Sequence, residues 1–368
     1  MAKSLRREFA QLADTYNPAK HKIAGWYISA KLDGCKAIWD GGITRGMPTR
    51  SVPWASVTDP KTGLAKAKVK PLATGLWSRY ANPIVAPDWF LNSLPACPLD
   101  GELWAGVGNF QLCRSICGGD EPDDRFDQIS FAVYSSPALT SLFATGEIKN
   151  ANHVCTIDEG QIEEFVKGRL QDFEGDYKFV MPAGTFDDEL AFLQGAIETQ
   201  SDNCFLHQQM KLPNDEDGAK AAAEAFLSKV LDGGGEGCVI RDPNAVWTPR
   251  RHKGLLKWKP YTDGDGRLVG FTSGRKTDKG SKLLGKIGAL ILDYEGKRLE
   301  LAGLTDAERE FSTGLESEYA ADNPGKDMPA QFQGKHFKVG DTISFLYREL
   351  SDIGIPKEAR YFRQRGDT

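Results

Sequence analysis

Apolar and polar residues alternate along residues 26–39, Trp-Tyr-Ile-Ser-Ala-Lys-Leu-Asp-Gly-Cys-Lys-Ala-Ile-Trp. That period of two is the signature of a half-buried strand. Gly41-Gly42 supplies a turn into Ile43-Thr44-Arg45, so the pattern predicts a hairpin with Lys31 near its start. Residues 4–12 read as a short helix ahead of it. Residues 53–71 are loop-like and carry Lys61, Lys66, Lys68 and Lys70, as a solvated loop or as one that touches a phosphate backbone. Residues 87–94 read as helical and lead into a strand holding Glu102. Residues 126–134 form a further strand. Between 136 and 232 helical and short extended stretches alternate, and the clearest helix spans 219–231. Gly233-Gly234-Gly235 ends it. The Gly-x4-Gly-Lys-Ser/Thr of a phosphate loop is missing, so these glycines are a helix stop. Strands follow at 238–241 and 255–259.

After Pro260 the pattern changes. Asp263-Gly264-Asp265-Gly266 reads as a turn-rich hinge. Beyond it lie short strands at 268–272, 287–294, 298–302 and 341–348, interrupted by one helix at 305–319 that Thr305 and Glu308 would cap. Short strands and a helix in about a hundred residues suggest a small β-barrel, of which the OB-fold is the commonest nucleic-acid-binding form. The expected architecture is α+β: a first domain over 1–262 with antiparallel sheets and helices, then an OB-fold domain over 263–368.

The chain has 368 residues, enough for two cores. No apolar run approaches the roughly 18 residues of a membrane span. The basic N-terminus lacks an apolar stretch, so no secretory signal is expected. Seven scattered cysteines fit reduced cytosolic thiols better than a disulfide framework. Cys113 and Cys117 have helical i, i+4 spacing. With no second ligand pair in the sequence around them, they read as two reduced thiols rather than a zinc site. The net charge is −5, but it is unevenly spread. Residues 241–298 hold 14 Lys/Arg against 6 Asp/Glu, and residues 151–236 hold 6 against 18. Such asymmetry suits one face for a polyanion and one for water.

The candidate chemistry lies in ordered clusters: Lys31-x-Asp33-Gly34, Asp100-Gly101-Glu102-Leu103, Glu236-Gly237-x-Val239-Ile240 and Lys257-x-Lys259. A lysine attacks phosphorus only as the free amine, so its ordinary pKa of about 10.4 must be lowered or its proton removed. Lys257, Lys259 or a bound Mg²⁺ would disfavour the ammonium form. The same cations would neutralise the phosphate under attack and the departing pyrophosphate. Glu102 and Glu236 offer hard oxygen ligands for Mg²⁺. Asp33 lies two residues from Lys31, on the same side of a strand. A purine needs an apolar stacking surface, for which Phe131 is the candidate.

This ordered set resembles the nucleotidyltransferase superfamily of ATP-dependent DNA ligases, RNA ligases and mRNA capping enzymes, most closely the small phage-type and bacterial ATP-dependent DNA ligases. The resemblance spans nearly the whole chain. It implies that Lys31 becomes adenylylated and that Arg45, in Thr44-Arg45-Gly46, binds the 5′-phosphate of a nick. It gives Glu102 to the ribose or a metal, Phe131 to the adenine, and Glu236 to a metal together with Asp33. Lys257 and Lys259 go to the α-phosphate. In Arg360-Tyr361-Phe362-Arg363-x-Arg365 it gives Arg360 and Arg363 to the outer phosphates of ATP. Lys36 and Arg50 join Arg45 as candidate DNA contacts.

Two positions depart from the family pattern. Lys36 stands where arginine is usual, a point charge in place of a bidentate fork. Ser29 stands where a glutamate often reads the adenine amino group. The implied activity is nick sealing in duplex DNA: ATP modifies Lys31, AMP passes to the 5′-phosphate, and the 3′-hydroxyl displaces it. The implied protein is a cytoplasmic monomer of a bacterial cell or phage-infected host, taking ATP, Mg²⁺ and nicked DNA, with no membrane and no obligate protein partner. An RNA ligase of the same superfamily is the second reading. A capping guanylyltransferase fits less well, because that group has Asp rather than Glu in the fourth motif. A non-catalytic end-binding module conflicts with the intact lysines and glutamates.

Overall fold

The computed structural model describes residues 9–59, 62–143, 184–197, 203–276, 282–351 and 353–365. The chain divides into two compact units, one running to Trp258 and one from Lys259 to Thr368.

The first unit holds two five-stranded sheets. One has the order β1-β10-β9-β2-β8, from β1 (Leu12–Thr15), β2 (Tyr27–Ala30), β8 (Met210–Lys211), β9 (Cys238–Arg241) and β10 (Arg251–Trp258). The other has the order β4-β3-β5-β6-β7, from β3 (Cys35–Asp40), β4 (Leu76–Ser78), β5 (Pro98–Trp104), β6 (Ser130–Ser135) and β7 (Cys204–Leu206).

Strand alternation decides which residues meet. In the first sheet Ile28, Cys238, Ile240 and Leu256 turn to a core shared with Ala219, Ala223 and Leu227 of the helix Glu216–Asp232. Ser29, Val239 and Lys257 lie in register across the other face. In the second sheet Ala37, Trp39, Leu99, Leu103, Phe131 and Val133 pack onto Cys113, Ile116 and Cys117 of the helix Phe110–Cys117. Lys36 and Glu102, paired across β3 and β5, lie on the opposite face.

The 26–39 pattern is not one strand. It breaks at 31–34 into β2 and β3, which belong to different sheets. The break has a steric cause: a Cβ on Gly34 would sit 2.2 Å from the Leu103 carbonyl oxygen. Only glycine lets the chain pass so close to β5 as it changes sheets. Nor is there a hairpin into Ile43–Arg45; residues 41–46 are turn, and β3 pairs with β4 and β5 instead. The N-terminal helix expected over 4–12 is also corrected where it can be read. Leu12 opens a strand parallel to β10, and residues 4–8 lie outside the described residues. Lys61 and residues 144–183 of the alternating stretch lie outside them as well.

The second unit contains β11 (Thr262–Ser273), β12 (Ile287–Tyr294), β13 (Lys297–Leu301), β14 (Thr342–Tyr347), a short hairpin of β15 (Glu349–Leu350) and β16 (Pro356–Lys357), and β17 (Arg360–Gln364). Its main sheet is antiparallel in the order β13-β12-β11-β14-β17. One bridge links Ala302, next to β13, to Arg360 of β17. Leu268, Phe271, Leu290, Leu292, Ile343 and Phe345 fill the core.

Asp263–Gly266 is not a hinge but the first half of β11. A Cβ on Gly264 would lie 2.7 Å from the Phe345 ring, so this glycine admits an aromatic rather than a turn. Thr305 and Glu308 do make the reciprocal bonds of a capping box, at 2.7 and 3.4 Å, but they close only a turn. The helix starts later, at Gly314–Asp322, behind a second box formed by Thr313 and Glu316.

Candidate active site

The polar faces of the two sheets in the first unit line a cavity of about 210 Å³. The first sheet contributes Ser29, Val239, Arg241, Leu255 and Lys257, and the second contributes Lys36, Glu102 and Tyr134. Lys31 enters from the segment that joins them, held in line with β9 by its backbone N–H, which donates to the Gly237 carbonyl at 2.8 Å. Among the described residues, Arg79 and Arg251 complete a set of six cationic side chains around one lining carboxylate, Glu102.

The Lys31 Nζ donates to the Glu236 carboxylate and to the Leu32 carbonyl at 3.4 Å. Lys36 forms an ion pair with the buried Asp100 and donates to the Tyr134 hydroxyl at 2.5 Å. Its ammonium also lies 4.3 Å from the centre of the Tyr134 ring. Asp100 accepts a second bond from the indole of Trp247 at 2.7 Å, which satisfies a carboxylate with no access to water. Burial pushes the Glu102 carboxyl up to about 7, against the pull of Lys36 and Lys31. Burial lowers the pKa of His207, whose Nε2 lies 2.8 Å from the Ala30 carbonyl oxygen behind Lys31.

The sequence-derived candidates divide by location. Lys31, Glu102, Glu236 and Lys257 come together in or at the cavity. Asp33 sits in the 31–34 segment beside them. Phe131 does not reach it. It is fully buried in the second sheet's core, because it shares its strand face with Val133. The aromatic residue on the cavity side of β6 is Tyr134, three positions on. Lys36, expected as a DNA contact, is cross-strand partner to Glu102 and turns inward to Asp100.

Arg45 and Arg50 lie outside the cavity. Arg45 donates to Asp88 and Asn92, each at 2.6 Å, and the exposed Arg50 donates to the Lys66 carbonyl at 2.8 Å. Lys259, Arg360 and Arg363 belong to the second unit, where the Arg360 guanidinium stacks 4.1 Å from the Tyr261 ring. Arg79, Arg241, Arg251 and Tyr134 are cavity residues that the motif reading did not assign. Strand parity could have found two of them. Tyr134 is out of phase with Phe131 and Val133, and Arg241 is in phase with Val239.

No protein-family model matches the chain. It is 21% identical over 356 residues to a DNA ligase of Haemophilus influenzae, covering 96% of this chain and 91% of that protein. It is 38% identical over 112 residues to a probable DNA ligase of Streptomyces griseus, a match that spans 29% of this chain and 22% of that one. Among solved structures it is similar to a Lig E DNA ligase, with a TM-score of 0.60 and 22% identity over 97% of this chain and 98% of the other. The fold is shared with that Lig E DNA ligase. Over nearly its full length the chain resembles DNA ligases in both sequence and structure.

Proposed function

We propose that this chain is an ATP-dependent DNA ligase that seals nicks bearing a 5′-phosphate and a 3′-hydroxyl. One observation carries the reading: Lys31 opens into a cavity whose other cations are Lys36, Arg79, Arg241, Arg251 and Lys257. Among the described residues six cations surround a single lining carboxylate, which suits a polyphosphate, and the lysines among them are the groups with nucleophilic chemistry to offer.

The Lys31 amine attacks the α-phosphorus of ATP. A nitrogen–phosphorus bond forms and pyrophosphate leaves with the electron pair of the broken anhydride. The proton must leave Lys31 first, and Glu236, which accepts from that amine, is positioned to receive it. Lys257 and Lys36 offset charge on the phosphate as the bond breaks. Tyr134 takes the purine in place of Phe131, and Glu102 takes the ribose. The resemblance assigns Lys259 to the α-phosphate and Arg360 and Arg363 to the outer phosphates. AMP then passes to the 5′-phosphate of the nick, and the 3′-hydroxyl displaces it. Arg45 and Arg50 lie on an accessible turn-rich stretch and serve the DNA backbone, which makes binding salt-dependent.

Asp33, Glu102 and Glu236 would hold Mg²⁺. The fit is chemical: these are hard oxygen donors, and the Glu102 carboxyl, driven toward protonation by burial, gains its charge when a divalent cation is near. Mg²⁺ would supply charge neutralisation at the phosphates. The second unit, whose main sheet has five antiparallel strands with a bridge from Ala302, next to β13, to Arg360 of β17, acts as the OB-fold module. The protein works as a monomer in the cytoplasm. Among the described residues no helix is long and apolar enough to cross a membrane.

The test is sealing of a nicked DNA duplex with ATP, GTP and NAD in parallel, beside the same nick in RNA. ATP-dependent joining of DNA is expected. Faster joining of RNA, or sealing that uses GTP or NAD but not ATP, would overturn the reading.

A further inference from the structure

Behind the segment that carries Lys31 lies a group of three thiols that the ligase reading does not use. Cys35 opens β3 directly after Gly34. Cys113 and Cys117 project from one face of the helix Phe110–Cys117. The three Sγ atoms lie within 4.8 Å of one another, and Cys113 and Cys117 are 4.0 Å apart. By sequence the i, i+4 pair lacked a further ligand. The fold supplies one from 78 residues upstream of Cys113, a distance along the chain at which no spacing motif operates.

We propose that Cys35, Cys113 and Cys117 form a three-thiolate site for Zn²⁺. Thiolates bound to zinc at about 2.3 Å must lie about 3.8 Å apart in a tetrahedral arrangement, so the ion fits with small movements of the sulfurs. Soft sulfur donors select this class of ion over the Mg²⁺ that the neighbouring carboxylates suit. Cys113 and Cys117 are almost wholly buried, whereas Cys35 is half-buried. Cys35 is thus the solvent-facing member of the set, and three sulfurs leave the fourth zinc position for a water.

The site ties three elements together. Cys35 is the register partner of Leu103 on β5, and in the metal-free chain the Cys113 thiol donates to the Leu103 carbonyl at 3.0 Å. Zinc binding releases that proton to solvent. That same carbonyl is the one against which Gly34 packs. Zinc would thus pin the helix to the strand start immediately beyond the nucleophile's segment, without touching the reacting atoms. Its role is positional.

The experiment uses the reduced, metal-free full chain without Mg²⁺. Addition of Co²⁺ as a spectroscopic stand-in is expected to give sulfur-to-cobalt charge-transfer absorption and the visible bands of a tetrahedral site, saturating at one ion per chain. Zn²⁺ is expected to bleach these bands, raise the melting temperature and protect Cys35 from alkylation. In Cys35→Ser the affinity for Zn²⁺, measured against a chromophoric chelator, is expected to fall at least about tenfold. Absence of the charge-transfer band in wild type overturns the proposal even if the variant fails to fold. Equal zinc affinity in Cys35→Ser also overturns it, as does recovery of Cys35 in a disulfide with Cys113 or Cys117 after incubation with zinc under reductant.

Discussion

Replacing Gly34 with alanine tests how the site is held. The new Cβ would stand 2.2 Å from the Leu103 carbonyl oxygen and 2.9 Å from Glu102 Cγ. The closest ordinary carbon–oxygen contact is about 3.3 Å, so a separation of roughly 1 Å must open. Strand β5 cannot supply it cheaply, because Leu103 is paired with Cys35 on one side and Phe131 on the other. The 31–34 segment moves instead, and it carries Lys31 away from Glu102. Gly34 does not have a positive φ, so the effect is one of space rather than backbone conformation. A misplacement of about 1 Å at a reacting group costs about a hundredfold in rate. Single-turnover formation of the protein–AMP adduct from labelled ATP should fall by that order, while the melting temperature falls only modestly. A variant rate within about threefold of wild type, with the fold intact, would refute the claim that contact with β5 positions the nucleophile.

The other predictions address single parts of the site. Tyr134→Leu removes the proposed base platform and should raise the KM for ATP by about tenfold or more, the equivalent of one stacking contact. Phe131→Leu should lower stability by about 1–3 kcal/mol in denaturant titration and leave that KM unchanged; the opposite pattern would restore Phe131 to the site. Arg45→Ala should form the AMP adduct at the wild-type rate yet seal pre-adenylylated nicks at least about tenfold more slowly, and equal loss of both steps would remove its 5′-phosphate role. Burial raises the pKa of Asp40 from 3.8 to about 6. Its stabilising contribution is thus complete below pH 3.8 and is lost as the pH rises through about 6. Asp40→Asn lacks this term, so wild-type stability should fall relative to the variant by about 3 kcal/mol across that window in urea unfolding. Parallel curves would contradict it.

Much of the site was legible because its chemistry is local. Lys31, Glu102, Glu236 and Lys257 each sit in a short cluster that the sequence shows directly, and the fold brings them together from two sheets and the segment that joins them. What failed was long-range. The 26–39 pattern kept its period through a break, since the alternation does not register that Gly34 must pass against β5. Lys36 reads as a DNA contact until the register with Glu102 and its pairing with Asp100 are known. Phe131 and Tyr134 were separable by parity within β6, but only once the strand's buried face was fixed by Val133. Asp263–Gly266 has turn composition. The rings of Phe345 and Tyr347 that demand a glycine at 264 lie some eighty residues further on. The third cysteine, Cys35, was invisible for the same reason.

Lys31 is the proposed nucleophile, and every other role in the site follows from it. The most direct measurement is incubation of the full chain with labelled ATP and Mg²⁺, followed by peptide mapping of the adduct. AMP is expected on Lys31 through an acid-labile nitrogen–phosphorus bond, and Lys31→Ala should take up no label. Label on another residue, or persistent labelling in that variant, would contradict the account.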